Sequence, residues 1–466
     1  MKRWVHGTIV VVTEIDRGRL ADLVAAEERR FVELHPRSAE LAGEARHLLA
    51  GVPMAWMTRW PGAFPVVFEE AVGAHFTDVD GNGYVDFCLG DTGAMAGHSL
   101  PQVADALASR ARRGITTMLP STDAHWVGGE LARRFGLPVW QMAMTATDAN
   151  RFVLRFARHL TGRPRVLVFD WCYHGTVDET LAVVGPDGRP VARPGTIGPP
   201  CDVATTTAVV QFNDLAALEV ELARGDVAAV LAEPALTNIG IVLPDPGFHD
   251  ALRELCTRYG TLLVLDETHT ICAGPGGATA AWGLEPDLLV VGKTIGGGMP
   301  VAAYGMTQDV ADRLAPALGG SEIDTSGVGG TLTGNALALA AVRATLSTTL
   351  REEDFERMVP LATAWTEGVQ QVLDDVGLDW CVQQLGCRAE YWFCPPPRNG
   401  RDAAAAVDPE LDSYLHLHAL NRGVLMTPFH NMALISPLHT RADVDRHTEV
   451  FAEAAAALAG ATVEAV

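Results

Sequence analysis

Two residues of this chain are placed for covalent chemistry with a carbonyl compound, an amine and a carboxylate that each stand where a buried strand stops. Lys293 ends the apolar run Asp287-Leu-Leu-Val-Val-Gly-Lys293 and opens a glycine-rich stretch, Thr294-Ile-Gly-Gly-Gly-Met-Pro300. Asp266 closes a second run, Thr261-Leu-Leu-Val-Leu-Asp266, with Glu267 after it. In open α/β sheets the carboxyl ends of strands face the ligand crevice. A lysine delivered there carries a charge that is costly to bury unless paired or removed, which makes it a ready Schiff-base former. A carboxylate delivered beside it suits a protonated ring nitrogen, because an adjacent anion holds that proton in place.

Other segments bring polar groups to strand or helix ends. Thr145-Ala146-Thr147-Asp148 leads into a helix predicted to run to about Leu160, and free backbone N–H groups at a helix start bind phosphate. Simple capping by Thr145 or Thr147 is the plainer use of the same residues. Tyr173-His174-Gly175 follows another strand, where an aromatic ring stacks on a planar ligand or merely packs. Gly327 to Asn335 is a Gly/Thr loop before the helix 336–347. Three alternatives fail. Gly292-Lys293-Thr294 mimics the end of a nucleotide-binding loop, but the residues before it are an apolar strand that cannot wrap its amides around phosphates. His416 and His418 stand two apart on a helix and do not share a face, and no H-E-x-x-H occurs, so no metal site is expected. No G-x-S-x-G elbow supports a serine hydrolase.

Strand candidates 166–170, 227–233, 262–266, 288–291 and 301–304 alternate with amphipathic helices between about residues 100 and 345. Strands apolar on both faces and separated by helices predict a mostly parallel sheet covered on both sides. Residues 22–49 read as helix, and 73–87 as two short strands around an Asp-Gly-Asn-Gly turn. A net charge of −22 argues against nucleic acid and anionic membranes. Eight scattered cysteines with no CxxC pair fit reduced thiols. No run of 18 apolar residues and no signal-peptide pattern occurs, so the sequence predicts a cytoplasmic protein.

The ordered blocks Thr77–Asp86, Gly97-His98, 147–157, Cys172–Gly175, Glu233-Pro234, Leu265–Glu267, Gly292-Lys293 and Gly330–Asn335 give the chain a wider likeness. From about Leu41 onward it resembles the class III, fold type I, pyridoxal phosphate (PLP)-dependent aminotransferases, in the glutamate-1-semialdehyde 2,1-aminomutase-like branch. The resemblance implies an α/β fold with a large domain built on a seven-stranded-type, mostly parallel sheet. A small α+β domain would come from both chain ends: residues 1–95 as the N-terminal segment, 96–345 as the large PLP-binding domain, 346–466 as the C-terminal part. It implies a Schiff base between Lys293 and PLP, with Lys293 also moving the substrate proton, and Asp266 paired with the ring nitrogen. Thr145, Ala146 and Thr147 would hold the phosphate, joined across a homodimer interface by Thr331. Tyr173 would stack on the ring, Thr268 would pack opposite, and His174 and His269 would lie beside it. Glu233 and Asn238 would line the substrate pocket.

The chain departs from the family at three places. Thr-Ala-Thr-Asp replaces the usual Ser-Gly-Thr-Glu, and Thr268-His269 replaces Val-Met or Val-Gln. Asn431 aligns with a glutamate thought to engage a diamino species in the aminomutases, which turns the expectation toward transamination. The expected function is therefore amino transfer between a carboxylate-bearing amino acid and an oxo acceptor. An aminomutase or an epimerase is the alternative, and a non-catalytic dimer the remote one. Arg59, in Trp56-Met-Thr-Arg59-Trp60, and Arg388 are the candidate carboxylate anchors, since a guanidinium meets a carboxylate with two parallel hydrogen bonds.

Overall fold

A computed structural model describes residues 2–5, 8–11, 15–199, 201–318 and 327–460. Its centre is a seven-stranded sheet of β1 (Val139–Ala143), β2 (Arg165–Phe169), β3 (Thr207–Val210), β4 (Val227–Ala232), β5 (Leu262–Asp266), β6 (Leu288–Val291) and β7 (Ala302–Met306). The spatial order is β3-β2-β4-β5-β6-β7-β1. Pairings from β3 through β6 are parallel, and β7 alone runs against both its neighbours. The sheet is thus mostly parallel, as the resemblance implies. Every residue of β2, β4, β5 and β6 is buried, which explains their unbroken apolar runs.

Helices shield both faces. The helix Ala146–Thr161 turns Phe152, Val153, Phe156 and Ala157 inward and stops at Gly162, whose left-handed φ of 67° ends it. Around this body lie two smaller sheets. Phe68–Val72, His75–Asp78 and Gly83–Asp86 form an antiparallel ribbon extended in parallel by Val424–Leu425, so distant parts of the chain share one sheet. Cys381–Leu385, Arg388–Trp392 and Met432–Leu434 form the other, fully antiparallel.

The helix expected over 22–49 is two helices, Arg17–Leu34 and Pro36–Glu44, followed by a 3₁₀ turn at Leu49–Gly51. Pro36 accounts for the break, because a residue before proline is driven out of helical geometry. Glu27 on the first helix is buried among His418, Asn421 and Arg422, tying that helix to Pro409–Leu420. Among the described residues no helix is long and apolar enough to cross a membrane.

Candidate active site

Five strands of one direction send their carboxyl ends to a single cavity. After β1 come Thr145, Ala146 and Thr147; after β2, Tyr173 and Gly175; after β4, Glu233; at the end of β5, Asp266 with Thr268 and His269; after β6, Lys293. Together with Trp56 and Met299 they line a space of about 310 Å³. The sheet topology therefore brings together most of the residues singled out in the sequence.

Asp266 is buried and saturated with donors. Its Oδ2 accepts from Asn150 Nδ2 at 2.8 Å and His174 Nδ1 at 3.0 Å, and its Oδ1 from the Thr268 amide at 3.1 Å. Burial alone would raise its carboxyl, but the hydrogen bond and charge of His174 reverse that and hold it below the usual carboxylate range. His174 responds in the opposite direction. Burial disfavours its charge, yet the nearby Cys172 and the Asp266 carboxylate keep its imidazole well above the ordinary histidine value. A charged pair thus stands at the end of β5. Asn150 is the member that sequence reasoning missed, because it sits mid-helix with nothing local to mark it.

Lys293 Nζ donates to Asp91 Oδ2 at 2.8 Å and to His269 Nε2 at 2.7 Å. Burial and the Lys293 charge keep His269 well below the ordinary histidine value, so its imidazole is neutral. Accepting at Nε2, it carries its proton on Nδ1, which faces Thr92 Oγ1 at 2.9 Å. Asp91 is another residue the sequence did not announce. Burial works against its charge, while the charge of Lys293 and the hydrogen bond from its Nζ hold it well below the usual carboxylate range.

The helix Ala146–Thr161 starts against this cavity. Thr145 Oγ1 accepts from the Asp148 amide, so capping and cavity lining are both served by Thr145-Ala146-Thr147. Ala146 has no positive φ, so alanine replaces glycine there without strain. Gly292 makes the room: a Cβ on it would stand 3.1 Å from the Ala146 methyl. A Cβ on Gly175 would fall 2.1 Å from Thr147 Oγ1, which instead accepts from the Thr176 amide at 3.1 Å. These close approaches leave an open cradle at the first-turn amides of Ala146 and Thr147, matched to a phosphate, with a carboxylate and an amine beside it. The residues present fit PLP.

The remaining candidates divide. Glu233 lines the cavity, accepts from the Tyr173 and Thr237 amides, and is raised by burial. Tyr173 meets Trp56 at 5.6 Å between ring centroids, and Trp56 meets Phe429 at 5.7 Å, forming an aromatic wall. Asn238 is engaged elsewhere, donating to the Trp171 carbonyl. Arg388 is fully buried behind His269, where it donates to the Thr237 carbonyl and pairs with Glu390 at 3.2 Å. Arg59 is exposed one turn beyond Trp56. Thr331 is exposed on this chain. Asn431 is bonded to Asp412 and His416 and does not line the cavity.

Comparison with known proteins agrees with this geometry. The family model described as aminotransferase class-III matches residues 56–452. A glutamate-1-semialdehyde 2,1-aminomutase of Desulfitobacterium hafniense (strain Y51) is 35% identical over 389 residues, covering 82% of this chain and 89% of that protein. The crystal structure of a lysine-to-alanine variant of a glutamate-1-semialdehyde-aminomutase from Pseudomonas aeruginosa PAO1, in complex with PMP, superposes with a TM-score of 0.93. It is 50% identical, covering 95% of this chain and 99% of that one. An omega-transaminase from Sphaerobacter thermophilus superposes with a TM-score of 0.82 at 27% identity, over 91% and 98% of the two chains. The chain is a fold type I, PLP-dependent enzyme that belongs to the class III aminotransferase family, in its glutamate-1-semialdehyde aminomutase-like branch.

Proposed function

We propose that this enzyme is an aminomutase of the glutamate-1-semialdehyde type, moving an amino group between neighbouring carbons of one carboxylate-bearing amino aldehyde. The observation that carries the reading is the gradient of likeness: 50% identity to an aminomutase structure against 27% to an omega-transaminase. When bound, PLP supplies the ring that takes up the electron pair left by a departing α-proton. This chain's residues supply the rest. Asp266, kept ionised by His174, holds the proton on the ring nitrogen. Lys293 anchors the cofactor through Nζ and carries the proton to and from substrate carbon. The amides of Ala146 and Thr147 and the Thr147 hydroxyl take the phosphate, Tyr173 and Thr268 flank the ring, and Arg59 receives the substrate carboxylate at the aromatic mouth.

The reading includes a homodimer in which exposed Thr331, beside Leu332 at 53% exposure, reaches the phosphate bound by a second copy. It also divides the chain into the segments 1–95, 96–345 and 346–466. An aminotransferase with an external oxo acceptor is the second reading. It is favoured by the apolar wall of Trp56, Tyr173 and Phe429 and by the commitment of Arg388 to Glu390. The test is to give the PLP-loaded protein glutamate-1-semialdehyde alone. Conversion to the isomer with nitrogen on C1 and the carbonyl on C2 is expected, and turnover only when an oxo acid is added replaces the first reading with the second.

A further inference from the structure

Asp91 holds neither the ring nitrogen nor the phosphate, yet it stands on an unusual stretch of backbone. Leu89, Gly90, Asp91 and Thr92 all have positive φ, at 45°, 58°, 51° and 79°. Three of these four consecutive positions, Leu89, Asp91 and Thr92, are not glycine and are therefore strained, and such strain concentrates where a site needs one particular geometry. The loop brings one carboxylate to Lys293. Its Oδ2 accepts from Nζ at 2.8 Å, and its buried Oδ1 has no hydrogen-bond partner among the described residues. The groups facing it are Lys293, His269 at 4.0 Å and, further off, His430, with Tyr173 and Cys88 nearby and Arg388 behind His269. His269 is neutral, so the Lys293 ammonium is the cation that compensates Asp91.

That compensation is withdrawn in use. With cofactor bound, Lys293 would be joined to it or, once a substrate amine has displaced it, would serve as the neutral amine that takes the substrate proton. In either state it would offer Asp91 no ammonium, leaving a carboxylate only 19% exposed with its Oδ1 unpartnered among the described residues. An uncompensated buried charge is expensive, and it selects for whatever cation enters next. The position Nζ occupies lies on the cavity wall, so the cation can arrive with the substrate. Exchange of an amino group between neighbouring carbons, with nitrogen lent to the molecule, passes through a species bearing an amine on each carbon. One amine reacts and the other is a free ammonium.

We propose that Asp91 is a specificity-determining residue, the subsite for a second ammonium group on the substrate, so that the site prefers a vicinal diamine to the matching monoamine. The inference rests on the internal-exchange reading for the identity of that diamine. Asp91→Asn keeps the shape, retains an oxygen to accept from Lys293 and tolerates the left-handed backbone; Asp91→Glu keeps the charge.

The experiment titrates the PLP-loaded wild type and both variants with 2,3-diaminopropanoate and with alanine, read by the absorbance of the bound cofactor. Wild type is expected to bind the diamine about tenfold or more tightly, the scale of one hydrogen bond to a charged group. The ratio is expected to fall to near one in Asp91→Asn and to persist in Asp91→Glu. No preference in wild type overturns the proposal whether or not the variants fold. Equal weakening of both ligands in Asp91→Asn overturns it too, leaving Asp91 a support for Lys293. A diamine preference without isomerisation of glutamate-1-semialdehyde refutes the exchange reading and leaves the subsite standing, whereas isomerisation without the preference does the reverse.

Discussion

Asp91 and Lys293 stand 202 positions apart in the chain and meet at 2.8 Å, each on a left-handed backbone with φ of 51° and 52°. A non-glycine residue in that conformation costs on the order of 1–3 kcal/mol and persists only where its surroundings impose it. At Lys293 they do so from both sides. Gly292 is pressed by Ala146 and Ala302, and the turn after it runs into Gly297, itself left-handed at 57°.

The strain at Lys293 predicts an order of stability. Lys293→Gly should unfold at higher denaturant than Lys293→Ala, by about 1 kcal/mol, because glycine adopts the left-handed region without penalty. Both should lose turnover by at least roughly 10²–10⁴-fold, the range for removal of a proton-transferring group. Chemical denaturation and steady-state kinetics check the two halves separately.

The His174–Asp266 pair predicts a pH effect. Replacing His174 by Gln removes the charge that holds Asp266 down, leaving burial to push its carboxyl up. The acid limb of the pH–rate profile should move to higher pH in His174→Gln. A profile that keeps its acid limb in place would show that Asp266 is held ionised by something else.

The phosphate cradle depends on Gly175. A Cβ there meets Thr147 Oγ1, and the residue's φ of 79° adds strain for any side chain. Gly175→Ala should weaken PLP binding by about tenfold or more, the loss of one charge-assisted hydrogen bond. Equilibrium dialysis of cofactor against wild type and variant measures it.

Asp412 predicts a stability effect remote from the chemistry. Burial pushes its carboxyl from 3.8 up to about 6 in the folded protein, with Asn431 donating to it at 3.0 Å. A folded value above the unfolded one means stability that is whole below about 3.8 and is lost as pH rises through about 6. Asp412→Asn removes the ionisation, so it should be more stable than wild type at pH 8 by up to about 3 kcal/mol, at 1.36 kcal/mol per unit. The advantage should vanish near pH 4, as paired denaturation curves will show.

What the sequence disclosed follows burial. β5 and β6 were legible to the residue because strands buried on both faces are unbroken apolar runs. β1 and β3 were not: Val139–Ala143 carries an exposed Gln141 and shades into the helix start that follows, whereas Thr207–Val210 is buried throughout but begins inside the polar run Thr205-Thr206-Thr207, which hides its start. Lys293 and Asp266 stood out because strand ends mark them. Asp91 and Asn150 did not, because only the folded chain brings them to Lys293 and Asp266. Arg388 looked available because its sequence neighbourhood hides that Glu390, two residues on, occupies the same face of one strand. One signal was present and unused: the chain contains two lysines, Lys2 and Lys293, among 35 lysines and arginines.

That scarcity makes the attachment of the cofactor to Lys293 directly testable. Borohydride reduction of the PLP-loaded protein fixes the cofactor to the amine that holds it, and digestion with mass spectrometry locates the adduct. The structure predicts one pyridoxyl group, on the peptide that carries Lys293, with the yellow absorbance lost in step. An adduct on Lys2, or full cofactor absorbance with Lys293 unmodified, would contradict it.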